Sequence, residues 1–218
     1  MPPPRIRLVS CLVVLLSISC GPSRLSLELP PEGVSARDFR RVRDSWTRRH
    51  EVYQKIMEGR LFVTATYFAP EVRQAWLAVA EEAYGWDGQA RVAEESRVAE
   101  DDRLHHTFFV AVSTYDWRWN RLHAHDSPWR LWLEDDSGRR AEPVDIERVR
   151  ARRPEFSTFF PYLDSFSEGY LVRFKRAGEV GTADVGDELL PRIVPGTREF
   201  TLRVTGAPAT ATLTWNLE

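Results

Sequence analysis

The segment "REFTLRVTGAPATATLTWNL", residues 198–217, alternates apolar and polar side chains on both sides of a short turn. In its first half, Phe200, Leu202 and Val204 share one face of an extended chain. In its second half, residues 209–217, an apolar face ending in a leucine is opposed by three threonines and an asparagine. Alternation with a period of two is typical of half-buried β-strands. The segment therefore predicts two strands, each with one face on a core.

Five further segments have the composition of short strands, with β-branched and aromatic residues between polar or Gly/Pro turns. They are "RLFVTATYF" (60–68), "TFFVAVSTY" (107–115), "WRLWLEDDSGRR" (129–140), "AEPVDIERV" (141–149) and "GYLVRFK" (169–175). The polar run from Asp135 to Gly138 predicts a tight turn, with 141–149 as the return arm of a hairpin. Six or seven short strands with polar turns favour an antiparallel, immunoglobulin-like β-sandwich.

Helical spacing is confined to the first half of the chain. Residues 36–58 predict an N-terminal helix, because apolar residues recur there at intervals of three, four and seven up to Gly59. Residues 69–103 predict a helical insertion between the first two strands, with Pro70 at a first helical position. The predicted fold class is α+β, with residues 35–218 forming a single sandwich domain.

The stretch "LVSCLVVLLSISCGPS", residues 8–23, predicts export of the protein. Arg5 and Arg7 precede an apolar run from Leu8 to Ser19, in the order of a secretory signal peptide. Twelve helical residues cover about 18 Å, which is less than the roughly 30 Å of hydrocarbon that a membrane span must cross. We therefore interpret residues 1–19 as a cleaved signal peptide.

The end of this run, Leu16 to Cys20, resembles the lipobox of bacterial lipoproteins, although Ser17 stands where leucine is usual. The resemblance implies that the Cys20 thiol takes a diacylglycerol and that the new N-terminus is acylated, with fatty acids such as palmitate. Gly21, in place of aspartate, implies sorting to the outer membrane. Residues 20–34 are rich in proline and glycine and predict a lipidated tether. The alternative is an ordinary signal peptide with an incidental cysteine.

Most of the mature chain also resembles uncharacterised bacterial envelope lipoproteins with a β-sandwich core. The resemblance is carried by "WRLWLEDDSGR", "FFPY", "YLVRF", "FTLRV" and "ATLTW". It implies a scaffold and carries over no functional residue, because a sandwich hosts many unrelated activities. Cys11 lies in the predicted signal and Cys20 is the only other cysteine. No disulfide is therefore predicted, although the compartment would be oxidising.

The charge balance excludes one class of partner. The chain has 30 basic and 32 acidic residues, and removal of the signal takes away two of the arginines. A nucleic-acid partner would require a basic excess, so none is predicted. The expected partners are the membrane, through the Cys20 lipid, and an envelope protein or a glycan.

The metal candidates are His123 and His125, which would point the same way in an extended segment and could offer two imidazoles to one ion. A zinc site needs three or four ligands, and His105 and His106 would have to complete it. A polar loop before Pro128 is the favoured interpretation, so neither a metal nor a cofactor is predicted. The sequence holds no serine-hydrolase elbow, zinc-protease pair, P-loop or dinucleotide fingerprint, so no catalytic residue is predicted.

The ligand-binding candidates lie in "YDWRWNRLHAHDSPWRLWLED", residues 115–135, which contains half of the chain's tryptophans. Trp117 and Trp119 would share one face of an extended segment, a spacing that a sugar-stacking platform could use. Trp129 is predicted to be buried in a strand. Trp132 falls on the opposite face of that strand and is predicted to lie beneath the helical insertion, with a partly exposed platform residue as the alternative.

The predicted function is that of a membrane-anchored envelope lipoprotein, acting as a non-catalytic structural or assembly component. The alternative is a glycan-binding or peptide-binding module, and an enzyme ranks third. An exposed row of aromatic side chains would favour the binding module. An uncovered patch on the 36–58 helix would favour assembly with a partner, and a pocket of convergent polar groups would favour the enzyme.

Overall fold

The computed structural model of the protein describes residues 25–54, 58–149, 154–178 and 189–218. The predicted signal peptide and Cys20 lie outside the described residues. Within these ranges, no helix is both long and apolar enough to cross a membrane.

Nine strands and four helices make up the described part of the chain. The strands are β1 Thr47–Gln54, β2 Glu58–Tyr67, β3 His105–Thr114, β4 Trp129–Asp135, β5 Arg140–Ala141, β6 Asp145–Val149, β7 Glu168–Lys175, β8 Glu199–Gly206 and β9 Ala209–Asn216. The helices are α1 Phe39–Ser45, α2 Pro70–Tyr84, α3 Gly88–Leu104 and α4 Pro154–Phe159. Short 3₁₀ turns cover Ala36–Asp38 and Trp117–Trp119.

The strands form two antiparallel sheets, which confirms the predicted α+β class. One sheet has the order β1-β2-β3-β7-β6 and the other the order β5-β4-β8-β9. The pairing of β8 with β9 places Leu202 opposite Leu213 and Val204 opposite Ala211. The two apolar faces expected for residues 198–217 thus merge into one inner surface, because paired residues of an antiparallel ladder point to the same side.

Aromatic side chains join the two sheets into one core. Trp215 of β9 stacks on Phe200 of β8, with ring centroids 5.1 Å apart and planes 6° apart. Phe108 of β3, in the other sheet, lies 5.5 Å from the Trp215 ring. The Trp215 indole Nε1 donates to the Trp46 carbonyl oxygen at 2.7 Å. All four side chains are buried, and burial of large rings supplies much of the hydrophobic stabilisation of such a core.

The predicted helix over residues 36–58 is wrong beyond Ser45. Residues from Thr47 form β1, which pairs with β2 along its length. The strand also gains polar contacts with β9: Arg48 Nε donates to the Thr214 carbonyl at 3.0 Å, and His50 Nδ1 lies 2.8 Å from the Thr212 carbonyl oxygen. Because these contacts cover the open edge of β9, sheet pairing outweighs the local helical spacing.

The additional strand also moves the helical insertion. Helices α2 and α3 lie between the second and third strands rather than between the first two. Pro70 stands at the start of α2, as predicted, and Gly85 ends that helix with a φ of 59°, a left-handed conformation that glycine adopts without strain. The two helices pack against each other, with α2 also against α1 and α3 against β3.

The predicted hairpin after β4 is mostly wrong. Its turn is present, with the Asp135 carboxylate accepting hydrogen bonds from the backbone N–H groups of Ser137 and Arg139. The return arm that pairs with β4 has only two residues. Pro143 follows, and proline cannot donate a ladder hydrogen bond. The chain then crosses to the other sheet, where β6 pairs with β7.

The predicted tether, residues 20–34, is packed against the domain from Leu25 onward. Leu25 is buried in the core and forms a parallel bridge with Leu217 after β9, and the Glu218 N–H donates to the Leu25 carbonyl at 3.0 Å. Leu27 and Val34 are partly buried against the same core. Burial of these apolar side chains stabilises the contact with the core, so residues from Leu25 to Val34 belong to the folded domain.

The sandwich has two ends that matter for function, called here the base and the tip. The base contains the Leu25–Leu217 bridge and the start of β8. The tip contains the β8–β9 turn, where a groove is lined by Tyr53, Arg60, Trp119, Pro128 and Pro208. Strand β9 runs from tip to base over 8 residues, which corresponds to roughly 27 Å.

Candidate functional site

The segment after β3 places an aromatic side chain in solvent at the tip. The Asp116 carboxylate accepts a hydrogen bond from the Arg118 N–H at 3.0 Å and starts the 3₁₀ turn that holds both Trp117 and Trp119. The expected extended conformation is therefore wrong, because a local side-chain cap competes with it. Trp117 is 80% exposed, whereas Trp119 is half-buried, so the two rings do not form a matched pair.

Exposed aromatic side chains concentrate at this end. Among the described residues, five aromatic side chains are strongly exposed, and four of them are at the tip: Tyr53, Tyr115, Trp117 and Phe166. Tyr53 is near the end of β1, Tyr115 directly follows β3, and Phe166 precedes β7. Because the sheet order is β1-β2-β3-β7, these residues follow its tip edge. The Arg60 guanidinium lies 5.6 Å from the Tyr115 ring centroid, which steadies that ring.

The other two tryptophans of this stretch do not belong to the exposed aromatic row at the tip. Trp129 is buried, as predicted, and its Nε1 donates to the Trp119 carbonyl oxygen at 2.8 Å. Trp132 is half-buried on the outer face of β4, with Arg203 as its cross-strand neighbour and the Arg140 guanidinium 5.8 Å from its ring. The prediction that Trp132 lies beneath the helical insertion is wrong, because that insertion packs on the other sheet, against β3.

The histidine candidates are not brought together. His123 and His125 are exposed and lie in turns rather than in an extended segment, and the His123 ring packs against Tyr170 with centroids 5.8 Å apart. His105 and His106 begin β3, whose 10 residues separate them from the tip by roughly 30 Å. In the part of the chain that the structure describes, no group of three His, Cys, Asp or Glu side chains could hold a metal ion.

His106 is a buried histidine with a structural contact. Its Nδ1 lies 3.1 Å from the hydroxyl of Tyr67, and both side chains are fully buried. Burial lowers the pKa of His106 well below its ordinary value, and the positive charges of Arg176 and Arg73 lower the pKa further. The imidazole is therefore neutral in the folded protein at neutral pH.

This neutral histidine predicts loss of stability in mild acid. Because the unfolded chain binds a proton near pH 6.5 and the folded chain does not, the free energy of unfolding falls as pH drops below that value. Urea unfolding at pH 7.5 and pH 5.5 should show a loss of about 1 kcal/mol from this group. The His106→Gln variant should not show this loss. The control variant His125→Gln, which replaces an exposed histidine, should show the same loss as the wild type. Equal losses in both variants would contradict the assignment.

A second candidate site is a cleft between the helical insertion, α4 and the outer face of the five-stranded sheet. It has a volume of about 120 Å³. Its walls contain six aromatic side chains: Phe68, Trp76, Tyr84, Phe156, Phe159 and Phe160. Since Phe68 follows β2, and Thr107 at the start of β3 also lines the cleft, the cleft lies toward the base.

The polar side of this cleft is an ion-pair network around Asp101. The Asp101 carboxylate accepts hydrogen bonds from Arg73 Nη1 and Thr107 Oγ1, both at 2.8 Å, and Arg173 Nε lies 3.3 Å away. Burial alone would raise the pKa of Asp101, but the hydrogen bonds from Arg73 and Thr107 and the charges of Arg73 and Arg173 hold the pKa below its ordinary value. Asp101 is thus a poor proton donor or acceptor at neutral pH.

Sequence reasoning did not identify this cleft. Arg73 and Asp101 are 28 residues apart in the chain. Trp76 and Tyr84 share α2 with Arg73, but three further aromatic residues come from the distant α4 segment, residues 154–160. The one local signal is an arginine between Val72 and Trp76 on the apolar side of a helix, a place where a charge requires a buried partner. No protein-family model, characterised protein or solved structure matches this chain.

Proposed function

We propose that this protein is a lipid-anchored, non-catalytic component of the cell envelope that acts as a glycan-binding module. The observation that carries the proposal is the row of exposed aromatic side chains at the tip, in which Phe166 and Trp117 are the most exposed, at 82% and 80%. Large aromatic side chains are usually retained for packing. Exposed ones grouped on one edge are the arrangement that stacks on flat sugar faces.

The position of the proposed anchor would direct the tip away from the membrane. Cys20 precedes the docked residue Leu25 by five residues, which reach at most about 17 Å. Leu25 is at the base, so a lipid on Cys20 would hold the base near the bilayer of the outer membrane. The tip would then face away from that membrane, toward material in the surrounding envelope.

The sandwich is proposed to be of the immunoglobulin-like type. The orders β2-β3-β7-β6 and β5-β4-β8-β9 correspond to the strand orders A-B-E-D and C′-C-F-G of that fold, with β1 as an additional strand. In this correspondence, the connection between β3 and β4 takes the place of the B–C loop, and the turn between β8 and β9 takes the place of the F–G loop. Both loops carry antigen contacts in antibody variable domains. The aromatic tip would therefore lie where related sandwiches bind their ligands.

The test is co-sedimentation of the protein with purified peptidoglycan sacculi. Trp117→Ala should weaken binding about tenfold or more, because truncation of a central aromatic contact typically costs at least that much. The unfolding free energy should change by less than about 0.5 kcal/mol, because the side chain is on the surface.

Trp132→Ala is the matched control, since it removes the same side chain from the outer face of β4, and its binding should match the wild type. Equal binding by the Trp117 and Trp132 variants would reject the tip as a glycan platform. Cross-linking from the tip to another envelope protein, without binding to sacculi, would favour the structural or assembly role instead.

A further inference from the structure

The cleft near the base has the size of a site for one ring. Its volume is about 120 Å³, which is close to the roughly 150 Å³ of an engineered apolar cavity that binds benzene. A ligand with a single six-membered ring matches this space, whereas a second fused ring would have to lie outside it. The volume therefore limits the buried part of a ligand to one ring.

The aromatic walls of the cleft are held in place by contacts with one another. Phe159 and Phe160 are buried, with 8% and 1% of their surface exposed. The Phe159 ring lies 6.4 Å from the Tyr84 ring, and the Phe160 ring lies 5.9 Å from the Phe68 ring, with the planes 75° apart. Because these rings are already ordered, a ligand would bind without the cost of ordering them.

The charged side chains of the cleft are neutralised within the protein. Three arginines line it, and each is paired with carboxylates: Arg73 with Asp101 and Asp102, Arg97 with Glu94, and Arg173 with Asp101, Asp145 and Glu147. A charged ligand would lose water on entering the cleft and would have to compete with these pairs. An uncharged ligand avoids both costs, so the pairing favours one.

The composition of the walls favours an aromatic ring over a saturated one. Six of the side chains that line the cleft are aromatic, and they already contact one another edge to face, as Phe68 and Phe160 do. Aromatic pairs in such arrangements gain more than the area that they bury would give. A saturated ring of the same size would bury a similar area without this gain.

We propose that this cleft binds an uncharged ligand that carries one aromatic ring. The same ring occurs in a free aromatic molecule and in the phenylalanine side chain of a peptide. The proposal goes beyond the glycan-binding function and does not rest on the tip, because the cleft is lined by residues at the opposite end of the five-stranded sheet.

The first experiment titrates the wild-type, full-length protein with benzyl alcohol and follows its amide and indole nitrogen NMR signals. Shifts should be confined to the cleft, including the Trp76 indole and the Thr107 and Arg173 amides. Cyclohexylmethanol, the saturated counterpart, should bind about fivefold more weakly. Benzoate and benzylammonium should each bind about tenfold more weakly or worse. Absence of shifts in the cleft, or affinity for the saturated or charged probes equal to that for benzyl alcohol, would overturn the proposal.

A second probe distinguishes the two sources of the ring. N-acetylphenylalanine amide carries the same ring between two uncharged peptide groups. Stronger binding than benzyl alcohol, with shifts in the same cleft, would assign the phenylalanine side chain of a peptide, and weaker binding would assign a free aromatic molecule. Shifts confined to the tip would contradict the proposal for both sources.

The last experiment blocks the cleft. Val98 of α3 lines it, so Val98→Phe should fill the space and reduce affinity for benzyl alcohol about tenfold or more. Val92→Phe makes the same change on the same helix at a position that is 60% exposed, and its affinity should match the wild type. Equal affinities in the two variants would place the ligand elsewhere and reject the cleft. Because the wild-type titration needs no variant, a failure of Val98→Phe to fold would leave the test intact.

Discussion

Replacing Trp215 with alanine should lower the free energy of unfolding by about 3–5 kcal/mol, the usual cost of deleting a buried aromatic side chain. Trp215 is fully buried and touches both sheets, through Phe200 on its own side and Phe108 on the other. Its removal would also take one of two hydrogen bonds from the Trp46 carbonyl oxygen, which would keep only the Tyr67 N–H at 3.2 Å. Urea unfolding followed by circular dichroism measures the change.

Two variants separate the causes of this loss. Trp215→Phe retains a ring but not the indole N–H, so it should lose less stability than Trp215→Ala. Its loss reports the cost of the missing hydrogen bond to Trp46 together with a smaller cavity. Trp117→Ala deletes the same side chain at the exposed tip and should change stability by less than about 0.5 kcal/mol. Similar losses from Trp215→Ala and Trp117→Ala would contradict the assignment of core and tip.

The sequence alone predicted those strands that have one buried face and one solvent-exposed face. In β8 and β9 the alternation of apolar residues and threonines survives in the structure, because each strand has one face on the core and one outside. The strand β1 was not predictable in this way. Its polar residues Arg48 and His50 gain partners on β9, about 160 residues later in the chain, and no local pattern reports such a contact.

The candidate sites were also only partly predictable from the sequence. The concentration of tryptophans in residues 115–135 marked the tip, yet their individual environments depended on a single cap by Asp116 and on which sheet the insertion covers. The row formed by Tyr53, Tyr115 and Phe166 depends on strand order, which composition does not report. The base cleft depends on a pairing of Arg73 with Asp101 across two helices. Neither site has a local sequence motif, so the three-dimensional arrangement of the strands and helices was needed to recognise each of them.

Replacing Cys20 with alanine should move the protein from the membrane fraction to the soluble fraction almost completely. The expected anchor is the lipid on Cys20, and each buried methylene contributes about 0.8 kcal/mol of membrane affinity, so two or more acyl chains hold stably while none leaves only the folded surface. Fractionation of cells followed by immunoblotting measures the distribution.

Cys11→Ala provides the matched control for this test, because Cys11 is the chain's other cysteine and lies inside the predicted signal peptide. That variant should remain in the membrane fraction, and mass spectrometry of the wild-type protein should find a lipidated N-terminal peptide beginning CGPSR. An ordinary signal peptide would give the opposite pattern, with an unmodified N-terminus and with the wild type and both variants equally soluble. Tight membrane association of Cys20→Ala would reject the lipid anchor, and the proposed orientation of base and tip would lose its basis with it.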